Sequence, residues 1–342
     1  MDEKIRWGIL GTGKIARIMA AALGESQDGE LAAVGSRDAG RAEAFAVEFG
    51  VPRSSGSYEG VIDEEDVDLL YVATHHPSHR EWAVRAADAG RHVLCEKPIA
   101  VTHAGAELIV DAAGRNDVFL LEAFAYRCHP QTQRLVELLR AGAIGEVRLI
   151  DAVFGYDAGP EPTNYLMDRE LAGGSILDVG CYTTSMAHLI AAAATGQAVA
   201  PTIDVVGAGN IGPSGVDLST AATLTFEGGL VARVACSIQA NLDSSVRIYG
   251  SEGRITVPSP WLPGRIGTDA RIVVERWGVD PEVIAIPLEA DVYTVEVDAV
   301  NTFVRKGERS PSVLTWEESL ANMQTLDRWR ASIGLRYRDD ET

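Results

Sequence analysis

The sequence predicts an α/β protein of two domains: a parallel sheet with helical crossovers, then an α+β domain with an open, mainly antiparallel sheet. Three observations carry this. The 342 residues exceed the ~250 at which a single core stops growing. As far as residue 124, short apolar runs alternate with stretches of helical period, which is the pattern of parallel βαβ units with right-handed crossovers. After Gly145 the helical period gives way to strands in series separated by glycine turns. We place the boundary between 124 and 125, with 125–342 as the second domain and its last helix allowed to pack back on the first.

The first apolar run, 5–10, breaks at Gly11-Thr12-Gly13-Lys14-Ile15-Ala16, and Ile15, Met19 and Leu23 then recur at helical spacing. This reads as strand, glycine turn, helix. Gly11 permits the tight turn, Gly13 lets backbone approach a pyrophosphate, and Ala16 permits close helix–strand packing, as in a Rossmann dinucleotide site. The free N–H groups at the helix start suit the phosphates, and Thr12, Lys14 and Ile15 complete this set of cofactor contacts. The next strand, 31–35, ends at Ser36-Arg37-Asp38. An NAD site places an acid there to hold the ribose 2′-hydroxyl. Ser36 and Arg37, with Arg41 a turn on, suit a 2′-phosphate instead, because a guanidinium fork matches phosphate geometry. Asp38 has a competing reading as the N-cap of the following helix. The expected cofactor is NADP in preference to NAD.

Strand 69–74 runs into His75-His76-Pro77-Ser78-His79. Three histidines in five residues invite a metal, but no acid or cysteine stands nearby at ligand spacing, so no metal is expected. The stretch reads as a loop beside the nicotinamide ribose, with Thr74, His76 and His79 as contacts. A helix then runs to Gly90, and Arg91-His92-Val93-Leu94-Cys95-Glu96-Lys97-Pro98 follows as a buried strand. Pro98 cannot donate to a ladder, so the strand stops and holds Lys97, preceded by Glu96, at its carboxyl end, where ligands of such sheets bind. The competing reading is a solvated surface lysine. A helix at 102–115 and a strand at 118–122 close the alternation.

In the second half, 147–154, 202–207, 219–226, 230–239 and 245–250 read as strands, with turns at Glu227-Gly228-Gly229 and Ser251-Glu252-Gly253. Thr315-Trp316-Glu317-Glu318 is a capping box opening a last helix that serves packing. In Gly173-Gly174-Ser175-Ile176-Leu177-Asp178-Val179-Gly180-Cys181-Tyr182 two glycines open a helix, and a spacing of four puts Asp178 and Tyr182 on one face. They could equally be a helix-start carboxylate and a packed aromatic.

Composition narrows the class. A net charge of −19 argues against a nucleic-acid partner, since phosphate neutralisation needs clustered cations. Cys95, Cys128, Cys181 and Cys236 are scattered without CxxC, which points to reduced thiols and the cytoplasm. The first residues lack the apolar core of a signal peptide, and no run approaches the ~20 apolar residues of a membrane span, so no membrane partner is expected.

With the glycine turn and Cys95-Glu96-Lys97-Pro98 in order, the chain resembles the Gfo/Idh/MocA oxidoreductases. The resemblance continues through Glu122-Ala123-Phe124-Ala125-Tyr126-Arg127-Cys128-His129-Pro130 and the stretch from Gly173 to Tyr182, and is greatest to the family's dihydrodiol- and D-xylose-oxidising branches. It implies an NAD(P)-dependent dehydrogenase or reductase that moves hydride between the nicotinamide and a hydroxyl or carbonyl carbon of a sugar, polyol or dihydrodiol. It implies catalysis by Lys97, Tyr182 and Asp178, with Tyr126 as a further substrate contact; Arg127, His129, Tyr156, Asn164, Tyr165 and Trp261 are pocket candidates, and each could equally be core or interface. A homodimer or dimer of dimers is expected. Many relatives carry histidine where Tyr182 stands, so their histidine roles are not carried over. Two rivals follow from other classes: a glycosidase that uses bound NAD transiently without net redox change, and a non-catalytic NADP-binding regulatory protein.

Overall fold

The computed structural model describes residues 4–159, 164–265 and 270–341. Contacts divide the chain into two units, one of 1–100, 104–128 and 290–316, the other of 101–103, 129–289 and 317–342.

The first unit holds β1 (Ile5–Leu10), β2 (Gly29–Gly35), β3 (Arg53–Ser55), β4 (Leu69–Val72), β5 (His92–Cys95) and β6 (Leu120–Glu122). They form one sheet in the order β3-β2-β1-β4-β5-β6, every pair parallel. Burial on both faces explains why β4 reads as an unbroken apolar run: Leu69, Leu70, Tyr71 and Val72 are all fully buried. Each such side chain contributes about 1.5–3 kcal/mol by leaving water. The Lys14–Glu25 helix turns Ala16, Met19, Ala20 and Leu23 inward, which is the periodicity visible in the sequence.

The Val292–Arg305 helix also belongs to this unit. Asp291 caps it by accepting the Tyr293 N–H at 3.0 Å. Trp7 Nε1 donates to Asn301 Oδ1 at 2.9 Å, and the Ser26 hydroxyl donates to Asp298 at 2.6 Å. These bonds join residues more than 270 positions apart, so no local pattern announces them.

The second unit holds β7 (Val147–Gly155), β8 (Thr202–Ile211), β9 (Asp217–Phe226), β10 (Val231–Ser237), β11 (Val246–Gly250), β12 (Gly253–Val257), β13 (Arg271–Arg276) and β14 (Glu282–Ala285). Their order is β14-β13-β12-β11-β7-β10-β9-β8, and all neighbours are antiparallel except β7 and β10. The open, mainly antiparallel sheet is thus present, extended by β12, β13 and β14 beyond the five runs recognisable in the sequence. Ile150, Ala152, Ala232, Val234, Ile248 and Ile255 make a buried face against which the Cys181–Thr195 helix packs. On the other face Arg233 donates twice to Asp151, at 3.0 and 2.7 Å, between the partly exposed Leu149 and Tyr249.

One expectation needs correcting. The run Ile176–Thr195 is 20 residues long and apolar enough to cross a membrane by length and composition. It is almost wholly buried inside the fold, which marks it as the second unit's core helix.

Candidate active site

In the parallel register Leu10, Val72 and Cys95 lie in one row, so Gly11, Ala73 and Glu96 follow in the next and Thr74 and Lys97 leave the same carboxyl edge. Gly11 is required there. Its φ is +123°, and a Cβ would stand 2.5 Å from the Ala73 carbonyl oxygen. A Cβ on Gly13 would meet nothing within 4 Å. The Lys14–Glu25 helix starts at Gly13 with no side-chain cap and no acid in its first turn, which leaves its first N–H groups to an anion. Thr12 and Ile15 are partly exposed there and Lys14 is exposed.

The end of β2 resolves the two readings of Asp38. It caps the Ala39–Phe49 helix by accepting the Arg41 N–H at 3.0 Å. Ser36 is buried and accepts the Asp38 N–H at 3.3 Å. The Arg37 and Arg41 side chains are exposed and make no hydrogen bond or ion pair among the described residues. Thr74 Oγ1 is buried with no partner among them. A glycine cradle, uncapped helix N–H groups, unpaired guanidinium groups and an orphaned hydroxyl on one edge fit a nicotinamide dinucleotide.

His76 lies buried on this edge, its ring edge-on to His79 at 5.7 Å. His79, an expected cofactor contact, has both ring nitrogens on backbone carbonyls. It is fully buried, with Nδ1 2.9 Å from the Pro98 carbonyl and Nε2 3.0 Å from that of Thr74. Burial pulls its pKa down to about 4, so the ring is neutral and one nitrogen donates. It ties the Thr74 loop to the Lys97-Pro98 segment from behind. Glu96 is likewise turned inward, accepting the Tyr71 hydroxyl and the Lys97 N–H at 3.2 Å. No cluster of His, Cys, Asp or Glu suited to a metal occurs among the described residues.

In the second unit the paired glycines have distinct reasons. A Cβ on Gly173 would stand 2.3 Å from the Leu166 carbonyl oxygen, and one on Gly174 would stand 2.2 Å from Asp217 Oδ1 at a φ of +105°. Asp217 Oδ2 accepts the Ser175 hydroxyl at 2.6 Å and the Ile176 N–H at 2.7 Å, fixing the helix start. The turn Ile176–Gly180 is π-helical, and the α-helix follows from Cys181. At about 4.4 residues per turn, as at 3.6, a spacing of four leaves Asp178 and Tyr182 within about 40° of one another around the axis, so they stay on one face. Such turns recur at functional sites. Asp178 accepts the Tyr156 hydroxyl at 2.6 Å. Tyr182 is buried, edge-on to Phe154 at 5.3 Å and to Trp261 at 6.1 Å. Those two rings stack at 5.4 Å, and Trp261 Nε1 donates to the Val153 carbonyl at 3.0 Å. Phe154 and Asp217 carried no sequence signal as parts of a site.

The remaining candidates are placed as follows. Asn164 caps the Tyr165–Met167 turn by accepting the Leu166 N–H at 3.1 Å, and Tyr165 is exposed. His129 starts the Pro130–Arg140 helix, its Nδ1 accepting the Gln131 N–H at 3.1 Å, and burial lowers its pKa. In the first unit Tyr126 is fully buried, and Arg127 gives its Nε–H to the Val313 carbonyl at 2.8 Å.

A dinucleotide cradle with a lysine on the same sheet edge defines a nicotinamide-dependent oxidoreductase. The comparisons agree: residues 5–124 match "Oxidoreductase family, NAD-binding Rossmann fold" and 132–256 match "GFO/IDH/MocA C-terminal domain", and the chain belongs to the Gfo/Idh/MocA family. It is 31% identical to mouse trans-1,2-dihydrobenzene-1,2-diol dehydrogenase, over 98% of this chain and 99% of that protein. It is 33% identical to D-xylose 1-dehydrogenase (NADP(+)) 2 of Haloferax volcanii, over 94% and 95%. A 3-ketoreductase of Actinomadura kijaniata, crystallised with NADP and TDP-benzene, superposes with a TM-score of 0.86 at 27% identity, covering 97% of this chain and 98% of its own.

Proposed function

We propose that the chain transfers hydride between NADP(H) and a hydroxyl or carbonyl carbon of a sugar, polyol or dihydrodiol, with Lys97, Tyr182 and Asp178 as catalytic residues. The observation that carries this reading is Lys97 on the carboxyl edge of the sheet, one strand from Thr74 and two from the Gly11 turn. The names of the two curated relatives support the substrate class. When bound, the cofactor supplies the hydride acceptor. Tyr182 takes the hydroxyl proton in oxidation and returns it in reduction. The Lys97 ammonium stabilises the alkoxide and favours the tyrosinate. Asp178, steadied by the Tyr156 hydroxyl, orients a substrate hydroxyl; Tyr126 and Arg127 of the first unit, and His129 and Asn164 of the second, are the further substrate contacts of this reading.

The absence of an acid reading the ribose at the end of β2, with Arg37 and Arg41 unpaired, favours the 2′-phosphate. NADP(H) is expected to bind more tightly than NAD(H). Arg37→Ala should weaken NADP(H) alone, by about 1.5–3 kcal/mol, the worth of a hydrogen bond to a charged group. Calorimetric titration with both cofactors checks this, and equal affinity in the unmutated chain speaks against it.

The same reading makes the chain a cytoplasmic homodimer. The four thiols are free and buried, as suits a reducing compartment, and the outer face of the second sheet offers Leu149, Val153, Val231 and Tyr249 around the Arg233–Asp151 pair for a self-complementary contact. Light scattering at micromolar concentration should report twice the 36.5 kDa chain mass; the single-chain mass would refute the dimer.

A further inference from the structure

Three buried glutamates surround the Lys97 segment in the first unit: Glu96 at 8% exposure, Glu122 at 2% and Glu296 at 1%. Two are engaged. Glu122 accepts the Ile99 N–H at 2.9 Å. Glu96 accepts the Tyr71 hydroxyl on one oxygen and the Lys97 N–H on the other. Glu296, on the Val292–Arg305 helix, has no hydrogen-bond partner for either carboxyl oxygen among the described residues.

As an anion Glu296 would be unfavourable here. Burial pushes its pKa well above the usual carboxylate range, and the charge of Glu96 at the end of β5 pushes it further. Tyr71 on β4 and Cys128 of the Ala125–Cys128 helix are raised in turn, first by burial and then by these carboxyl groups, and Tyr293 stands one turn back on the same helix. Arg127, beside Cys128, gives its Nε–H to the Val313 carbonyl. The Lys14–Glu25 helix presents only apolar side chains inward, and the one charged residue of β2, Glu30, is exposed. A carboxyl group without donors beside a carboxylate is far more stable with its proton on.

We propose that Glu296 is a positioning residue for Lys97: it is a buried, partnerless carboxyl group that stays neutral near Glu96, the side chain that anchors the lysine backbone. The effect on activity rests on the reading of Lys97 as catalytic; the proton on Glu296 does not. While Glu296 is neutral, it adds no negative charge to that of the carboxyl group that holds the Lys97 N–H. Ionisation of Glu296 would add a second buried negative charge near Glu96 and loosen that hold, so turnover closes on the alkaline side.

The sign for stability follows. Glu296 keeps its proton in the folded chain but loses it in the unfolded chain above about pH 4.3. The unfolded chain then binds one proton fewer, so stability is greatest below that pH and falls as pH rises toward the folded-state value. One proton corresponds to about a tenfold loss in the folding constant per pH unit. Denaturation of full-length protein between about pH 5 and pH 8 should therefore give a slope one proton shallower in Glu296→Gln than in the unmutated chain. Parallel slopes would overturn the proposal. If Glu296→Gln does not fold, the infrared spectrum of the unmutated protein decides: a protonated carboxyl band must persist at pH 7, and its absence would overturn the proposal. Glu296→Ala should lower kcat by about 10–10²-fold with NADP(H) affinity unchanged, as a misplaced catalytic group does. Glu296→Gln should restore kcat and move its alkaline limb to higher pH. A shallower slope with an unmoved limb would overturn the positioning role. A chain with no turnover on any substrate but with the proton in place would count against Lys97 as catalytic, not against the proton on Glu296.

Discussion

Tyr182→Phe is expected to lower turnover by about 10²–10⁴, the worth of general acid–base catalysis, while folding and NADP(H) affinity stay as they were. The ring sits edge-on to Phe154 and Trp261, and phenylalanine keeps that packing while removing only the hydroxyl. Lys97→Met should be at least as damaging, because it removes the charge that favours the tyrosinate along with a substrate contact. The double variant should be little worse than the worse single one, as for groups that act as a unit. Steady-state kinetics with a fixed substrate measures all three. Near-normal turnover in Tyr182→Phe would make the tyrosine a packing residue and pass the proton to Lys97 or His129. Of these, His129 has its Nδ1 committed to the Gln131 N–H and is held neutral by burial.

Gly174→Ala should strongly destabilise the second unit. Two independent effects add. A left-handed backbone costs an L-residue about 1–2 kcal/mol, and overpacking against Asp217 and the Tyr337 hydroxyl adds about 1–3. Gly196→Ala is the matched control: its φ is +70°, but a Cβ there meets nothing within 4 Å. Urea denaturation should show Gly174→Ala losing about 2–5 kcal/mol and Gly196→Ala only the backbone share. Because Asp217 also holds the Ile176 N–H, kcat should fall in Gly174→Ala and not in Gly196→Ala. Equal losses in both would mean that the Asp217 anchor tolerates the methyl group and does not govern the turn.

Parts of this site that depend on local pattern were legible in the sequence. The Gly11 turn, Lys97 stopped by Pro98, and the Ser36-Arg37 end of β2 each follow from residue type within a few positions. The six-stranded parallel sheet followed from alternation of period, because strands buried on both faces must be continuously apolar. What was not legible is carried by distant partners or by geometry that composition does not encode. Asp217 reaches Ser175 across 42 positions, and the return of 290–316 to the first unit rests on bonds such as Trp7 to Asn301. Short strands such as β14, of four residues, fall below the length at which alternation can be recognised. The π-turn at Ile176–Gly180 looks helical in sequence, since hydrophobic spacing cannot separate one extra residue per turn. The bonds of His79 to the Pro98 and Thr74 carbonyls are not legible in the sequence either, because a histidine beside a ligand loop looks the same whether or not its nitrogens are tied to backbone.

The most direct test of the central claim is net reduction of NADP⁺ by the purified protein. The assay follows nicotinamide absorbance across aldoses, anhydrosugars, inositols and trans-dihydrodiols. The account predicts that NADPH accumulates in step with oxidation of a CH–OH carbon for at least one of these classes, and that Lys97→Met abolishes it. Cleavage of a glycoside with no net change in absorbance, or tight NADP(H) binding without turnover of any class, would contradict it.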